Sequence, residues 1–216
     1  MTQRRTILPL ALALAAVAAI IAGCGGSDDN AKQANEVDRA FASEMIDHHQ
    51  MAVDMANVAR SRAQHPQIKR TAENIVRTQT AEMNDLTDLA NDDGAGTGSG
   101  GHEMHDGSME SMDDDSSAKD TEAIFGLSQE QMGMTRDMDA LDQARAFDRT
   151  FIDMMIPHHQ GAIRMAPVEL AKGNDPRLKA VARGIVAAQT KEIRQMDTWR
   201  TDWYGEPSPA GGVLAA

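Results

Sequence analysis

The 216-residue chain carries 33 acidic residues against 21 Lys and Arg, a formal net charge of −12, and only 3% of its residues are aromatic. That acidity argues against a nucleic-acid-binding surface, which needs a basic footprint, and the shortage of aromatics argues against a β-sandwich. A single cysteine excludes an intramolecular disulfide and a cysteine-cluster metal site, whereas 15 methionines are an excess that needs a physical reason.

The cysteine closes the first segment. Arg4 and Arg5 precede an apolar run over residues 7–21, short for a membrane span, which ends in Ile21-Ala22-Gly23-Cys24. The pattern resembles a bacterial lipoprotein signal, with residues 1–23 removed, a lipid on the Cys24 thiol and residues 24–36 as a flexible Gly/Ser/Asp-containing tether. A plain signal peptide and an N-terminal anchor helix are the alternatives. The lipoprotein reading puts the mature chain in the cell envelope, outside the cytoplasm, held to a membrane through Cys24 and without a free thiolate for metal.

The rest of the chain repeats itself. DRAFASEMIDHHQMAVDMANV from Asp38 aligns with DRTFIDMMIPHHQGAIRMAPV from Asp148 at an offset of 110 residues. The same ungapped offset carries His65-Pro66 onto Asp175-Pro176, and Ile75, Val76, Gln79, Thr80 and Glu82 onto Ile185, Val186, Gln189, Thr190 and Glu192. About 20 identities over roughly 49 positions mark a duplicated unit. Each unit reads as two helices: residues 37–60 and 66–90 in the first hairpin (37–90), residues 147–172 and 176–203 in the second (147–204). Gly173-Asn174-Asp175 supplies a stop and a cap, and Pro176 suits a first helical position. The fold class is all-α, two duplicated αα-hairpins forming a four-helix bundle. Between them, residues 91–120 read as a disordered linker rich in Gly, Ser and Asp. Residues 121–146 read as a connecting helical segment, with Ser128 and Gln131 as a capping box for a short helix over 129–144. Residues 205–216 read as a flexible tail.

At about 100° per residue, Phe41, Met45, Ala52, Met55 and Ala56 share one stripe, flanked on opposite sides by His48 and His49. Phe151, Met155, Ala162, Met165 and Ala166 repeat it, flanked by His158 and His159. On the second helices Gln79 and Glu82, and Gln189 and Glu192, also fall in the apolar stripe. A core holding two His-His pairs, two Gln and two Glu is costly unless those groups satisfy one another or hold an ion. Two readings fit the histidines: a self-satisfied network with Glu82 and Glu192, or ligation of metal. Met45 meets His48 and His49 at i,i+3 and i,i+4 spacing, as Met155 meets His158 and His159. Thioether and imidazole together suit soft or borderline ions, above all Cu(I) and by the same logic Ag(I). Any one methionine also suits plain core filling. Gln79, Glu82, Gln189 and Glu192 would then fix the imidazole tautomers from behind. Pro157 stands where the first unit has Asp47, and Gly161 where it has Met51, so the two halves are not expected to be identical.

The linker repeats the chemistry: His102, Met104, His105, Met109 and Met112 lie among Gly, Ser and Asp, where core packing gives no account of them. Such a tract captures metal or drifts free of constraint. A nucleophilic cysteine is excluded, and no nucleophile-elbow pattern appears. A di-iron site wants Glu-x-x-His, but Met45 and Met155 stand three residues before His48 and His158.

The Phe-x-x-x-Met-Ile-x-His-His-Gln-x-Ala-x-x-Met-Ala pattern at Phe41 to Ala56 and Phe151 to Ala166, with Gln189, Glu192, Ile193, Met196 and Trp199 after it, resembles a bacterial family long labelled a domain of unknown function. In the first unit Met83, Leu86 and Leu89 replace the last three residues. The resemblance spans about Glu36 to Tyr204. It implies a ferritin-like four-helix fold and, from a periplasmic copper-binding member, binding of Cu(I) or Ag(I) by Met and His for copper storage, handling or tolerance. The expectation is thus a non-catalytic envelope lipoprotein that binds Cu(I), with ligands Met45, His48, His49, Met55, Met155, His158, His159 and Met165, helped by the linker residues. Its expected partners are metal ions, the membrane through Cys24, and a copper transporter or chaperone that the sequence does not identify; nucleic acid is not among them. A redox enzyme with a bundle-core metal and a metal-free structural module are the competing readings.

Overall fold

The computed structural model describes residues 34–92, 114–135 and 137–214. The expected signal segment, Cys24 and its tether up to residue 33, and linker residues His102, Met104, His105, Met109 and Met112 lie outside them. Six helices are present among the described residues: α1 (Glu36–Arg62), α2 (Pro66–Asp92), α3 (Asp114–Phe125), α4 (Met138–Gln143), α5 (Phe147–Lys172) and α6 (Pro176–Tyr204). α1 packs along α2 and α5 along α6, and the two hairpins meet chiefly through α1 and α5. None of these helices is long and apolar enough to cross a membrane.

Local chemistry sets the helix ends. Asn35 and Asp38 form a reciprocal capping box at the start of α1: Asp38 N–H donates to Asn35 Oδ1 at 3.0 Å and Asn35 N–H to Asp38 Oδ2 at 2.7 Å. Asp175 caps α6 by accepting from Arg177 N–H at 2.7 Å, with Pro176 in the first turn as its fixed φ favours.

Three expectations for the connecting segments need correction. Residues 114–120, assigned to the disordered linker, belong to α3; its Phe125 is buried among Ala40, Phe41, Met45 and Met165, which anchors the helix to the bundle. The Ser128/Gln131 box exists, with Ser128 N–H to Gln131 Oε1 at 2.9 Å and Gln131 N–H to Ser128 Oγ at 3.2 Å, but it opens a run of turns, not a helix over 129–144. Gly133 at φ +76° ends that run, and the helix proper, α4, starts later under an Asp137 cap. The C-terminal segment to residue 214 is pinned, not free: Gln160 donates to the carbonyls of Ala210 and Gly212 at 3.0 and 2.8 Å, and Asp197 accepts from Ser208 N–H at 2.8 Å.

The duplication is locked by an exchange of aspartates. Asp38 opens the first unit, is buried, and accepts from Asn174 and Asp175 N–H in the turn of the second unit at 2.9 and 3.0 Å. Asp148, its repeat, accepts from Gln64 and His65 N–H in the turn of the first unit at 2.9 and 2.7 Å, and pairs with His65 Nδ1 at 2.6 Å. Each hairpin therefore ties down the turn of the other.

One buried group breaks the repeat. Glu169 is fully buried where the first unit has Ala59, and neither carboxyl oxygen has a hydrogen-bond partner. Burial, reinforced by the negative charge of Asp38, pushes its pKa up to about 8 from 4.5. The folded chain thus holds a proton that the unfolded chain has lost over this window, so stability falls as pH rises from about 4.5 to about 8 and levels off above. Glu169→Gln is expected to remove that component; chemical denaturation at pH 5, 7 and 9 checks it, and parallel pH profiles for the two proteins would contradict it.

Candidate metal centre

The four motif histidines form a row through the middle of the bundle. His48 on α1 and His158 on α5 stack face to face, centroids 3.7 Å apart and planes within 9°. His49 and His159 flank the stack at 6.1 and 6.2 Å from their neighbours. All four are buried. The helical period sets the two members of each pair on opposite sides of the apolar stripe, and the structure shows why both fit: one ring stacks on its repeat in the other unit, and the other reaches the second helix of its own hairpin.

The outer rings are oriented by carboxylates. His49 Nε2 lies 2.8 Å from Glu82 Oε2, and His159 Nε2 lies 2.7 Å from Glu192 Oε2. In the neutral ring the Nε2 proton donates to the carboxylate, which leaves the Nδ1 lone pair as the acceptor. Nδ1 is buried and without a partner in both His49 and His159, and so are Gln79 Oε1 and both amide atoms of Gln189. A buried polar atom left unpaired is costly, and here the unpaired atoms recur at duplicated positions. Carboxylate on one ring nitrogen and a free lone pair on the other is the arrangement that prepares imidazole for a metal.

The inner rings differ. His48 Nε2 lies 3.0 Å from the His158 carbonyl and its Nδ1 has no partner. His158 Nε2 lies 3.1 Å from the His48 carbonyl, while its Nδ1 lies 2.8 Å from the Gly133 carbonyl. Burial, with the neighbouring His158, holds the His48 pKa well below 6.5; burial, with His159, holds His158 down at about 3. Both rings are neutral at pH 7. The neutral His158 ring can donate to only one of these carbonyls, and its remaining lone pair faces the other carbonyl oxygen, so neither nitrogen is turned toward a ligand in this conformation; His48 offers Nδ1. The sequence treats the two as equivalent. The residue that separates them is Gly161: residues 128–134 lie so close to α5 there that an added Cβ would stand 1.9 Å from the Met132 carbonyl oxygen.

The methionines sort into two buried clusters that combine both units. Met45 and Met165 belong to one, with Met132 and Phe125; Met55 and Met155 belong to the other, with Ile193 and Met196. Each cluster thus carries one thioether from α1 and one from α5. Met45 stands one turn before His49, and Met155 one turn before His159. Met132 and Met196 join them without having been singled out as ligands; Met196 stands in the pattern that carries the resemblance, and Met132 is marked by burial alone. Among the described residues no three His, Cys, Asp or Glu side chains converge on a common point. The donor types buried in this part of the bundle are imidazole nitrogen and thioether sulfur, a combination that suits soft or borderline ions.

A duplicated helical bundle with paired, carboxylate-oriented histidines and buried thioethers defines the class. The chain belongs to the family described as Domain of unknown function (DUF305), which matches residues 38–200. Among solved structures it is similar to CopM in the Cu(II)-bound form, at 32% identity over 77% of this chain and 97% of that one, with a TM-score of 0.58. CopM in the Cu(I)-bound form matches at 31% identity over 78% and 98%, with a TM-score of 0.55. A DUF305 protein of Streptomyces coelicolor shares the fold at 24% identity over 80% and 96%, with a TM-score of 0.62. Protein L153 of Acanthamoeba polyphaga mimivirus is 38% identical over 56 residues, and the match spans only 37% of that protein.

Proposed function

We propose that the chain is a copper-binding protein of the cell envelope, without catalytic activity, that takes Cu(I), and Ag(I) in its place, on buried imidazole and thioether groups. The observation that carries this reading is the matched pair of unpartnered Nδ1 atoms on His49 and His159, each with its Nε2 held by a glutamate. Similarity to CopM, solved with Cu(II), Cu(I) and Ag, supports copper as the ion. The bias to Cu(I) rests on the thioethers of Met45, Met55, Met155 and Met165, which a divalent copper ion has less use for. His48 contributes through Nδ1, and His158 acts through its stack. The imidazoles and thioethers of His102, Met104, His105, Met109 and Met112 would gather ions from solution, and a lipid at Cys24 would hold the protein at a membrane.

A competition titration with a chromophoric Cu(I) chelator under anaerobic conditions tests this. The wild-type chain is expected to compete, and the His49→Ala/His159→Ala variant to lose its tightest sites while keeping its helicity. Cu(I) binding unchanged in that variant would move the function off the bundle; no competitive binding by the wild type would end the copper reading.

A further inference from the structure

The repeat makes the two faces of the bundle comparable position by position, and they are not equally closed. Beside α5 lies a cavity of about 410 Å³ whose lining includes Met55, Gly133, Asp153, Met154, Pro157 and His158. Met55 is 1% exposed, belongs to the buried Met55/Met155 cluster, and forms part of this wall. Met154 is half-buried and brings a second thioether to the same cavity. Glu130, Asp137 and Asp153 also border it; Asp153 is paired with Arg200 at 2.9 Å, and Asp137 caps α4.

The repeat-related place in the other half is filled. Ala40, Glu44, His48 and Met165 stand there for Thr150, Met154, His158 and Met55. Phe125 of α3 packs in the cluster that holds Ala40 and Met165, and Glu44 is buried. Where the first unit has a buried glutamate under a helix, the second has a half-exposed methionine beside a cavity. Pro157 contributes to the opening, since it cannot bond the Asp153 carbonyl one turn back, and both residues line the cavity.

Resting on the copper reading, we propose that this cavity is a way in to the buried centre, and that Met154 and Met55 form a relay of two thioethers along it. A soft monovalent cation meets Met154 at the half-exposed position, passes to Met55 and so reaches the inner cluster. The acidic residues around the cavity favour cations over anions, and paired thioethers select the soft ones. No covalent or redox step is involved.

The test uses the full chain with Cys24→Ser, to remove the one thiol, and inorganic Ag(I) as probe. Transfer of Ag(I) from a chromophoric chelator is followed by stopped flow. The bundle phase is identified by its loss in His49→Ala/His159→Ala. Met154→Leu keeps the volume and removes the donor; Ala140→Trp adds bulk to the cavity wall and changes no donor. Both are expected to slow the bundle phase about tenfold, roughly 1.4 kcal/mol in barrier, with the amplitude retained. A bundle phase of unchanged rate in both variants would overturn the relay and leave the copper reading intact. Absence of any bundle phase in the parent would overturn both. Per-residue oxidation of methionine by hydrogen peroxide, read by mass spectrometry, gives a metal-free check: Met55 is expected to react faster than the equally buried Met45, and more slowly in Ala140→Trp. Equal rates for Met55 and Met45 would contradict the cavity as a route.

Discussion

Gly161→Ala is expected to unseat residues 128–134 from α5 and to lower stability by about 3 kcal/mol, the upper end of the usual range for overpacking. The added Cβ would lie 1.9 Å from the Met132 carbonyl oxygen, 2.2 Å from its carbon and 2.6 Å from Gly133 N, and all three atoms are backbone. No rotamer relieves that, so the segment itself must move. Gly133 cannot yield by tightening, because it sits at φ +76° with its Cα hydrogens already against the His158 backbone. Release of the segment would take the Gly133 carbonyl away from His158 Nδ1 and expose Met132. Faster amide exchange over 129–134, beside little change in α1 and α2, is the expected signature. Unchanged protection there, with unchanged Tm, would contradict the packing described.

Asp148→Ala is expected to loosen the junction between the hairpins. It removes the acceptor for Gln64 N–H, His65 N–H and His65 Nδ1 at 2.9, 2.7 and 2.6 Å, and leaves two backbone donors in a half-buried turn. Hydrogen bonds to a charged acceptor contribute about 1.5–3 kcal/mol each and are not additive, so a loss of about 3 kcal/mol follows. For a chain of this size that is a fall in Tm of roughly 6–12 °C. His65, which stacks on Trp203 at 3.7 Å, would lose its anchor. Asp148→Asn keeps one acceptor and should lose about half as much. Asp38→Ala is expected to act alike on the turn at Asn174 and Asp175. Scanning calorimetry of the three variants checks this, and a Tm within a degree or two of wild type for both alanine variants would contradict the exchanged-aspartate lock.

The parts of this architecture that were legible in the sequence are those that repeat. The 110-residue offset exposed two hairpins, and the 3.6-residue period put Met45, Met55 and their repeats on the buried face because nothing local competes with burial there. That Glu82 and Glu192 lie within reach of the histidines followed from the placing of polar groups in an apolar stripe; that each glutamate holds the outer ring of its own hairpin, His49 or His159, is seen only in the fold. What escaped sequence reading is long-range or depends on backbone approach. Asp38 and Asp148 look like ordinary first-turn acids, and only the fold shows that each serves the other unit's turn. Nothing local told that Gln160 holds the C-terminal segment, since its repeat Gln50 is exposed and bonds Asp54. The inequality of His48 and His158 arises from residues 128–134, which have no counterpart at the repeat offset. The first part of α3, residues 114–120, escaped because those residues are polar and the reason for the helix's position is Phe125, at its very end.

If the proposed function holds, His49 and His159 present Nδ1 to a soft cation while Nε2 stays on its glutamate. Nitrogen-15 correlation spectra of the histidine rings, recorded with and without Ag(I) on the Cys24→Ser chain, test it directly. Nδ1 of His49 and His159 is expected to shift on loading and to show coupling to silver, while Nε2 of both rings keeps its proton. Coupling through Nε2, or Nδ1 signals unmoved by silver that is bound elsewhere on the chain, would contradict it.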